Sequence, residues 1–399
     1  MPLTDCPVSV SRRTVFGSLL GLVFLVNLAR VVFAPLLEPL GTALDANDAA
    51  LGTIATLAWL GSALPRIPTG YLLTRISRSA VILASSGILA VAAVATSLAN
   101  SVPAVMIGAF LMGLASGSYF IAGNPLASEL FPDRVGSTLG IHGTASQLAA
   151  VSAPAIVVAA LGVGDWRTVF RAMAVAAVVS GIAFALTARR TEMPDAGAED
   201  TAFLAAARHQ WRIVLAGVAV IGVTGLVWNG LFNFYVKYFL AKGLTGAQAN
   251  QLLTIAFGAG VPAFFVSGRL ADRLPVLPYI LSIIGGFLLS VYATTLLSSY
   301  LGLAVLSAVL GYVIHSLFPA VDTYLLGSLP DHHRGSAYAV YSGTMMIIQA
   351  SGSTIVGSLS SAGYSFEAIF TGLVAVLAAV LLGLTGLYVD GQLPTGARA

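Results

Sequence analysis

A six-residue pattern of this chain returns half a chain later with its Gly, Leu and Arg in place. Gly70-Tyr-Leu-Leu-Thr-Arg75 follows one long apolar stretch, and Gly268-Arg-Leu-Ala-Asp-Arg273 follows another, 198 positions on. At the same offset Leu130-Phe-Pro-Asp133 returns as Ser328-Leu-Pro-Asp331. Each copy then enters an Arg-Gly-Ser-like turn, Arg134-Val-Gly-Ser137 and Arg334-Gly-Ser336, before the next apolar stretch. A chain written twice folds as two halves of like design, and that duplication frames every local feature.

The solvent follows from charge. Charged residues make up 9% of the chain and hydrophobic residues 57%. A soluble domain carries about 25% charged residues, so this chain cannot clothe its surface for water, and lipid is its solvent. A helix crossing a bilayer needs about 20 mostly apolar residues. Twelve stretches qualify: 15–37, 49–72, 80–100, 103–127, 137–161 and 168–188, then 211–239, 247–268, 276–297, 300–326, 336–361 and 366–388. The expected fold is an all-α membrane protein with twelve transmembrane helices in two six-helix bundles. The bundles are residues 1–188 and 211–399, joined by a polar linker over 189–210 that is too short and too polar to span. The first stretch, Val15 to Leu37, is too long for a signal-peptide core and lacks a small-x-small cleavage site, so it reads as a retained helix.

Orientation follows from the basic residues between spans. With the N-terminus in the cytoplasm, Arg12, Arg13, Arg75, Arg78, Arg134, Arg189, Arg190, Arg208, Arg212, Arg269, Arg273, Arg334 and Arg398 fall inside, and only Arg167, Arg171, Lys237 and Lys242 fall outside. Thirteen against four places both termini in the cytoplasm of a multi-pass plasma-membrane protein. The single Cys6 excludes an internal disulfide and a cysteine-based metal cage. No cofactor, metal or nucleic-acid partner is expected, and one such chain encloses its own pathway as a monomer.

The loop after the second span of each half resembles the signature loop of the major facilitator superfamily. Gly268-Arg-Leu-Ala-Asp-Arg273 is a close match, whereas Gly70-Tyr-Leu-Leu-Thr-Arg75 has Thr74 where the family has Asp. Asp165-Trp-Arg167 and Glu129-Leu-Phe-Pro-Asp-Arg134 resemble further family habits. The resemblance implies two pseudo-symmetric bundles around a central cavity, rocking to expose a site to each side in turn. It also implies a cytoplasmic gate, in which the Asp caps a helix N-terminus and the Arg bridges to neighbouring carboxylates. Asp272 and Arg273 are assigned to that gate, with Arg75, Glu129, Arg134 and Arg334 as partners.

Two arginines lie inside the predicted spans, Arg30 in the first and Arg66 in the second. A charge in the bilayer core costs about 2.5–3.5 kcal/mol on insertion scales, so such a residue is a functional hypothesis by default. No intramembrane Asp or Glu of the first half is placed to neutralise them; Glu38, Asp45 and Asp48 sit at the outer mouth. Uncompensated guanidiniums facing a wet cavity suit an anion, because the planar fork donates two parallel hydrogen bonds. The bland reading is that Arg66, four residues before Gly70, snorkels to the rim. Ala63-Leu-Pro-Arg-Ile-Pro-Thr-Gly70 resembles the second helix of nitrate/nitrite porters, and Arg30 resembles the anion-binding Arg of organophosphate and organic-anion carriers. The matching positions of the second half are Phe264 and Trp228 rather than cations, so neither branch is assigned.

Other polar residues are candidates to line the cavity: Asn27, Tyr119, Asn124, His142, Gln147, Asn229, Asn233, His315 and Gln349. Asn27 and Arg30 share a helix face at a spacing of three, and Asn229 and Asn233 at a spacing of four. For any one Asn or Gln the alternative is interhelical glue. His315 and Asp322, two turns apart on the tenth span, are candidates to carry a coupling proton. Asp322 alternatively belongs to the cytoplasmic gate.

The sequence thus points to a secondary active transporter of a small anion, inorganic or carboxylate, by alternating access with possible coupling to a proton or ion. Drug or amphiphile efflux on the same fold is the alternative, and a non-transporting sensor is another. A phosphate loop, a zinc His-Glu-x-x-His and a nucleophile elbow are all absent, which argues against an enzyme.

Overall fold

A computed structural model of the chain describes residues 8–191, 208–209, 211–271, 273–328 and 334–393. Most of the expected linker lies outside them. The described residues form helices and no strand. Ten helices are long and apolar enough to cross a membrane. The two remaining crossings have clear physical reasons for falling short. The second span is broken into Asp48–Ala63 and Arg66–Leu72 at Leu64-Pro65. Proline removes the N–H that would continue the ladder and its ring presses on the preceding turn. The eleventh span, Arg334–Ser361, is a continuous helix whose many Ser, Thr and Gly residues lower its hydropathy.

Other spans are also segmented. The first runs Val8–Val31 and Phe33–Leu44, kinked ahead of Pro35 and ended by Asp45 in the left-handed conformation (φ 49°). The seventh runs Trp211–Gly217, a π-helical turn Val218–Gly222, Val223–Asn233 and Tyr235–Ala241. Side-chain caps fix several starts. Asn47 accepts from Ala50 N–H at 2.9 Å, Ser77 from Ala80 N–H at 3.3 Å and Ser365 from Ala368 N–H at 3.2 Å. Each satisfies a donor that the helix itself leaves orphaned.

The six helices of each half pair in the same way. Span 2 packs on 4, 3 on 4, 3 on 6 and 1 on 5; span 8 packs on 10, 9 on 10, 9 on 12 and 7 on 11. Between the halves, span 2 packs on 11 and span 5 on 8, again a symmetric pair. The repeat holds to the level of single atoms. A Cβ on Gly113 would lie 2.2 Å from the carbonyl oxygen of Ala58, and one on Gly311 would lie 1.9 Å from that of Ala256. Both members of the second pair stand 198 positions after the first. At these two crossings the backbones touch, which only glycine permits. The fold therefore sets corresponding residues of the two halves on facing walls.

Candidate functional site

Arg30, on span 1, meets side chains of spans 2 and 4 and is 7% exposed. Its Nη1 donates to Ser62 Oγ at 3.3 Å, and its Nη2 donates to Asn27 Oδ1. Asn27 is fixed in turn, donating through Nδ2 to Ser146 O at 2.7 Å. The guanidinium carbon lies 4.8 Å from the Trp59 ring centre and 5.0 Å from that of Phe120. Aromatic faces attract a cation, so both rings favour the charge where it lies. Among the described residues no carboxylate lies within salt-bridge distance of Arg30. Its Nε and the neighbouring indole Nε1 of Trp59 are buried donors without a hydrogen-bond acceptor.

Arg66 opens the short helix after the Pro65 break. Its Nε donates to Ser62 O at 3.4 Å and its Nη1 to Ser342 Oγ of span 11 at 2.7 Å. Both expected arginines thus converge on Ser62, one through its hydroxyl and one through its carbonyl. Arg66 also bridges the halves.

The facing wall is aromatic. Trp59 meets Phe232 of span 7 edge-on at 5.9 Å. Phe232 lies 5.4 Å from Trp228 and 5.5 Å from Phe257, and Trp228 lies 5.5 Å from His315. His315 Nδ1 faces Gly311 O at 2.7 Å, and a carbonyl only accepts, so Nδ1 carries the hydrogen. Gln147 of span 5 donates through Nε2 to Phe257 O at 3.1 Å, which fixes the orientation of its amide, and the same Nε2 lies 3.3 Å from His315 Nε2. The neutral ring therefore accepts from Gln147.

The remaining candidates are engaged elsewhere. Tyr119 donates to Leu19 O at 2.8 Å and lies 3.0 Å from His142 Nε2, its ring stacked on the imidazole at 5.9 Å, which ties spans 1, 4 and 5 together. Asn233 Nδ2 donates to Asn229 Oδ1 at 2.8 Å and to Ser353 Oγ at 2.9 Å, knitting span 7 to span 11. Gln349 is buried with its amide against Gly225, where a Cβ would come within 2.5 Å of Nε2. Asp322 is half-buried on span 10, and Asn124, its counterpart in the repeat, is exposed.

Sequence comparison settles the family. A profile of the Major Facilitator Superfamily matches residues 19–297 and 238–396. The chain belongs to the Major Facilitator Superfamily. It is a membrane transporter and not an enzyme. Two crystal structures of a bacterial homologue of the human lysosomal transporter Spinster share its fold. The inward-facing unoccupied form aligns with a TM-score of 0.71 and 17% identity, covering 97% of this chain and 96% of that one. The inward-facing occupied form aligns with a TM-score of 0.72 and 18% identity, covering 97% of this chain and 93% of that one. No curated protein matches the sequence.

Major facilitator carriers work by moving one bundle against the other, so contacts between bundles matter most. Here many lie at the face opposite the loop motif. Asp48 accepts from Lys237 Nζ of span 7 and, at 2.6 Å, from Ser360 Oγ of span 11. Glu38 stands 3.8 Å from the same lysine. Ala49 N–H donates to Ser361 Oγ at 2.8 Å, and Thr56 Oγ1 donates to Ala350 O at 2.7 Å. A Cβ on Gly357 would lie 2.2 Å from Asp48 O, so the two backbones are in contact there.

The loop-motif face is arranged differently. Glu129 pairs with Arg78 within the first half, at 2.5 Å. Arg75 lies over the ring of Tyr71, one turn back, at 4.9 Å. Arg134 and Arg273 are exposed. Asp272 and the side chain of Arg334 lie outside the described residues. Of the expected gate only Glu129 forms an ion pair among the described residues, and its partner, Arg78, was expected only as a topology charge. The opposite latch of Asp48 and Lys237 was also missed, since each residue reads alone as an ordinary loop charge. Trp59 and Phe120 were missed because aromatic residues in apolar helices carry no signal of their own.

Proposed function

We propose that this transporter is a secondary active carrier of an anion, moved by alternating access, with the Arg30 guanidinium as the anion's counter-charge. The observation that carries the reading is that cation: it is nine-tenths buried, close to two aromatic rings and two neutral hydrogen-bond acceptors, and has no carboxylate within salt-bridge distance among the described residues. A buried charge without a counter-charge is costly unless one arrives. Arg66 adds a second positive charge around Ser62. The moving bodies are residues 1–188 and 211–399 with both termini in the cytoplasm of the plasma membrane, and one chain forms the pathway. In that orientation the Asp48–Lys237 contacts close the outer face. His315 and its bridge to Gln147 support proton coupling, because protonating the ring turns its acceptor into a donor.

The test is uptake by proteoliposomes holding the full chain, under imposed proton and sodium gradients, with nitrate, phosphate, acetate, succinate and benzoate as solutes. Saturable accumulation of an anion, lost in Arg30→Ala, supports the reading. Extrusion of a cationic dye with no anion flux assigns the chain to amphiphile efflux instead. Flux of none of these solutes overturns the anion reading.

A further inference from the structure

The repeat register assigns different chemistry to the two walls of the site. Arg30 corresponds to Trp228, 198 positions on, and Trp59 corresponds in the same register to Phe257. The two pairs occupy equivalent places: Arg30 lies 4.8 Å from Trp59, and Trp228 lies 5.8 Å from Phe257. One wall presents a cation beside an indole, and the matching place on the other presents an indole beside a phenyl ring. Phe232 joins them, in contact with Trp59 on one side and with Trp228 and Phe257 on the other. The symmetry of the fold has been kept and the polarity of the site has not.

On this basis we infer that the substrate is an organic monocarboxylate with a flat apolar body, its carboxylate bound at Arg30 and Trp59 and its body against Trp228, Phe232 and Phe257. The assignment rests on the anion reading above and narrows it. Donors are left over for a carboxylate. A guanidinium has five N–H donors; one Nη1 hydrogen serves Ser62 and one Nη2 hydrogen serves Asn27. Three N–H remain, one on each nitrogen, and Nε and the indole Nε1 of Trp59 have no acceptor at all among the described residues. A carboxylate, which only accepts, suits Nε–H and the indole N–H together. Both groups are buried, so a ligand reaches them only when the side chains around them move. A small inorganic anion satisfies the donors and leaves that wall unused. A dicarboxylate sets its second charge against rings with no second cation on the Trp228 side. Ligand sites of this kind are mostly apolar with a few placed polar groups.

The experiment is equilibrium binding to the purified full-length carrier in lipid nanodiscs, followed by quenching of tryptophan fluorescence and confirmed by thermal shift. The probes are benzoate, 2-naphthoate, acetate, nitrate, succinate and benzamide. Benzoate and 2-naphthoate are expected to bind at least about tenfold more tightly than acetate or nitrate, because a ring is taken from water. Benzamide, uncharged and of the same shape, is expected not to bind. Arg30→Lys is expected to weaken benzoate about tenfold by losing the fork. Trp59→Phe, which keeps a ring and removes the N–H, is expected to weaken it by roughly the same factor. Phe257→Leu is expected to weaken 2-naphthoate and leave acetate unchanged; thermal melting of each variant without ligand checks folding. Acetate or nitrate binding as tightly as benzoate overturns the aromatic body and leaves the anion reading standing. Benzamide binding as tightly as benzoate overturns both. Binding of none of the probes, in protein that melts cooperatively, overturns the inference.

Discussion

Gln147 and His315 face each other across the boundary between the two bundles, 3.3 Å apart, with Gln147 the donor and the neutral imidazole the acceptor. Protonation places an N–H against the amide N–H2 and removes the acceptor. This arrangement is therefore favoured by the neutral ring and grows more stable as pH rises. The distance between spin labels placed on spans 5 and 8 is expected to lengthen as the pH is lowered from 8 to 4. His315→Leu is expected to abolish that pH dependence. Gly260→Ala tests the same place sterically, since its Cβ would lie 2.7 Å from His315 Cγ and 2.9 Å from Gln147 Nε2; it is expected to slow transport while leaving the protein folded.

The contact of Asp48 with Lys237 makes a separate prediction. Both side chains are less than a fifth exposed, so the pair is not screened as a surface ion pair would be. Asp48→Asn is expected to destabilise the closed outer face by about 1–3 kcal/mol, the cost of weakening a charged hydrogen bond. Distances between spin labels on spans 2 and 11 at that face are expected to broaden toward longer values. The exchanged pair, Asp48→Lys with Lys237→Asp, is expected to recover part of the closure, and no recovery counts against an electrostatic latch.

Gly113 and Gly311 are expected to be intolerant of any side chain. In each case the added methyl meets a backbone carbonyl, at 2.2 Å and 1.9 Å respectively, and neither helix can retreat without losing its packing. Either alanine variant is expected to lower the melting temperature sharply, at a cost of about 3 kcal/mol or more. Gly386→Ala is the control, since nothing lies within 4 Å of its Cβ position.

Tyr119 and Asn233 are expected to act on stability and not on affinity. Tyr119 ties span 4 to spans 1 and 5, and Asn233 ties span 7 to span 11. Tyr119→Phe and Asn233→Leu are each expected to cost about 1 kcal/mol. Substrate KM is expected to stay unchanged; a tenfold rise in KM for either would move that residue into the site.

Much of the architecture was legible in the sequence because lipid permits few solutions. A backbone in hydrocarbon must satisfy its own hydrogen bonds, so apolar stretches of sufficient length become helices. The repeat then fixes how those helices pair. Arg30 was legible for a similar reason: a guanidinium in an apolar helix stands out against its surroundings. Trp59, Phe120 and Phe232 were not, because an aromatic residue on a membrane helix looks the same whether it faces lipid, core or site. Asp48 and Lys237 were hidden by distance, 189 residues apart and each ordinary where it stands. The 198-residue register pairs Arg30 with Trp228 and Trp59 with Phe257, so the sequence does hold the correspondence between the two walls.

The Arg30 guanidinium, close to the rings of Trp59 and Phe120, has an electrical consequence. Under the proposed anion reading a bound monoanion cancels the charge of Arg30, which stands bare when the site is empty. Voltage across the membrane then acts more strongly on the unloaded return than on the loaded crossing. Such a cycle runs most easily when one anion leaves as another enters, because the bare charge never has to make the journey alone.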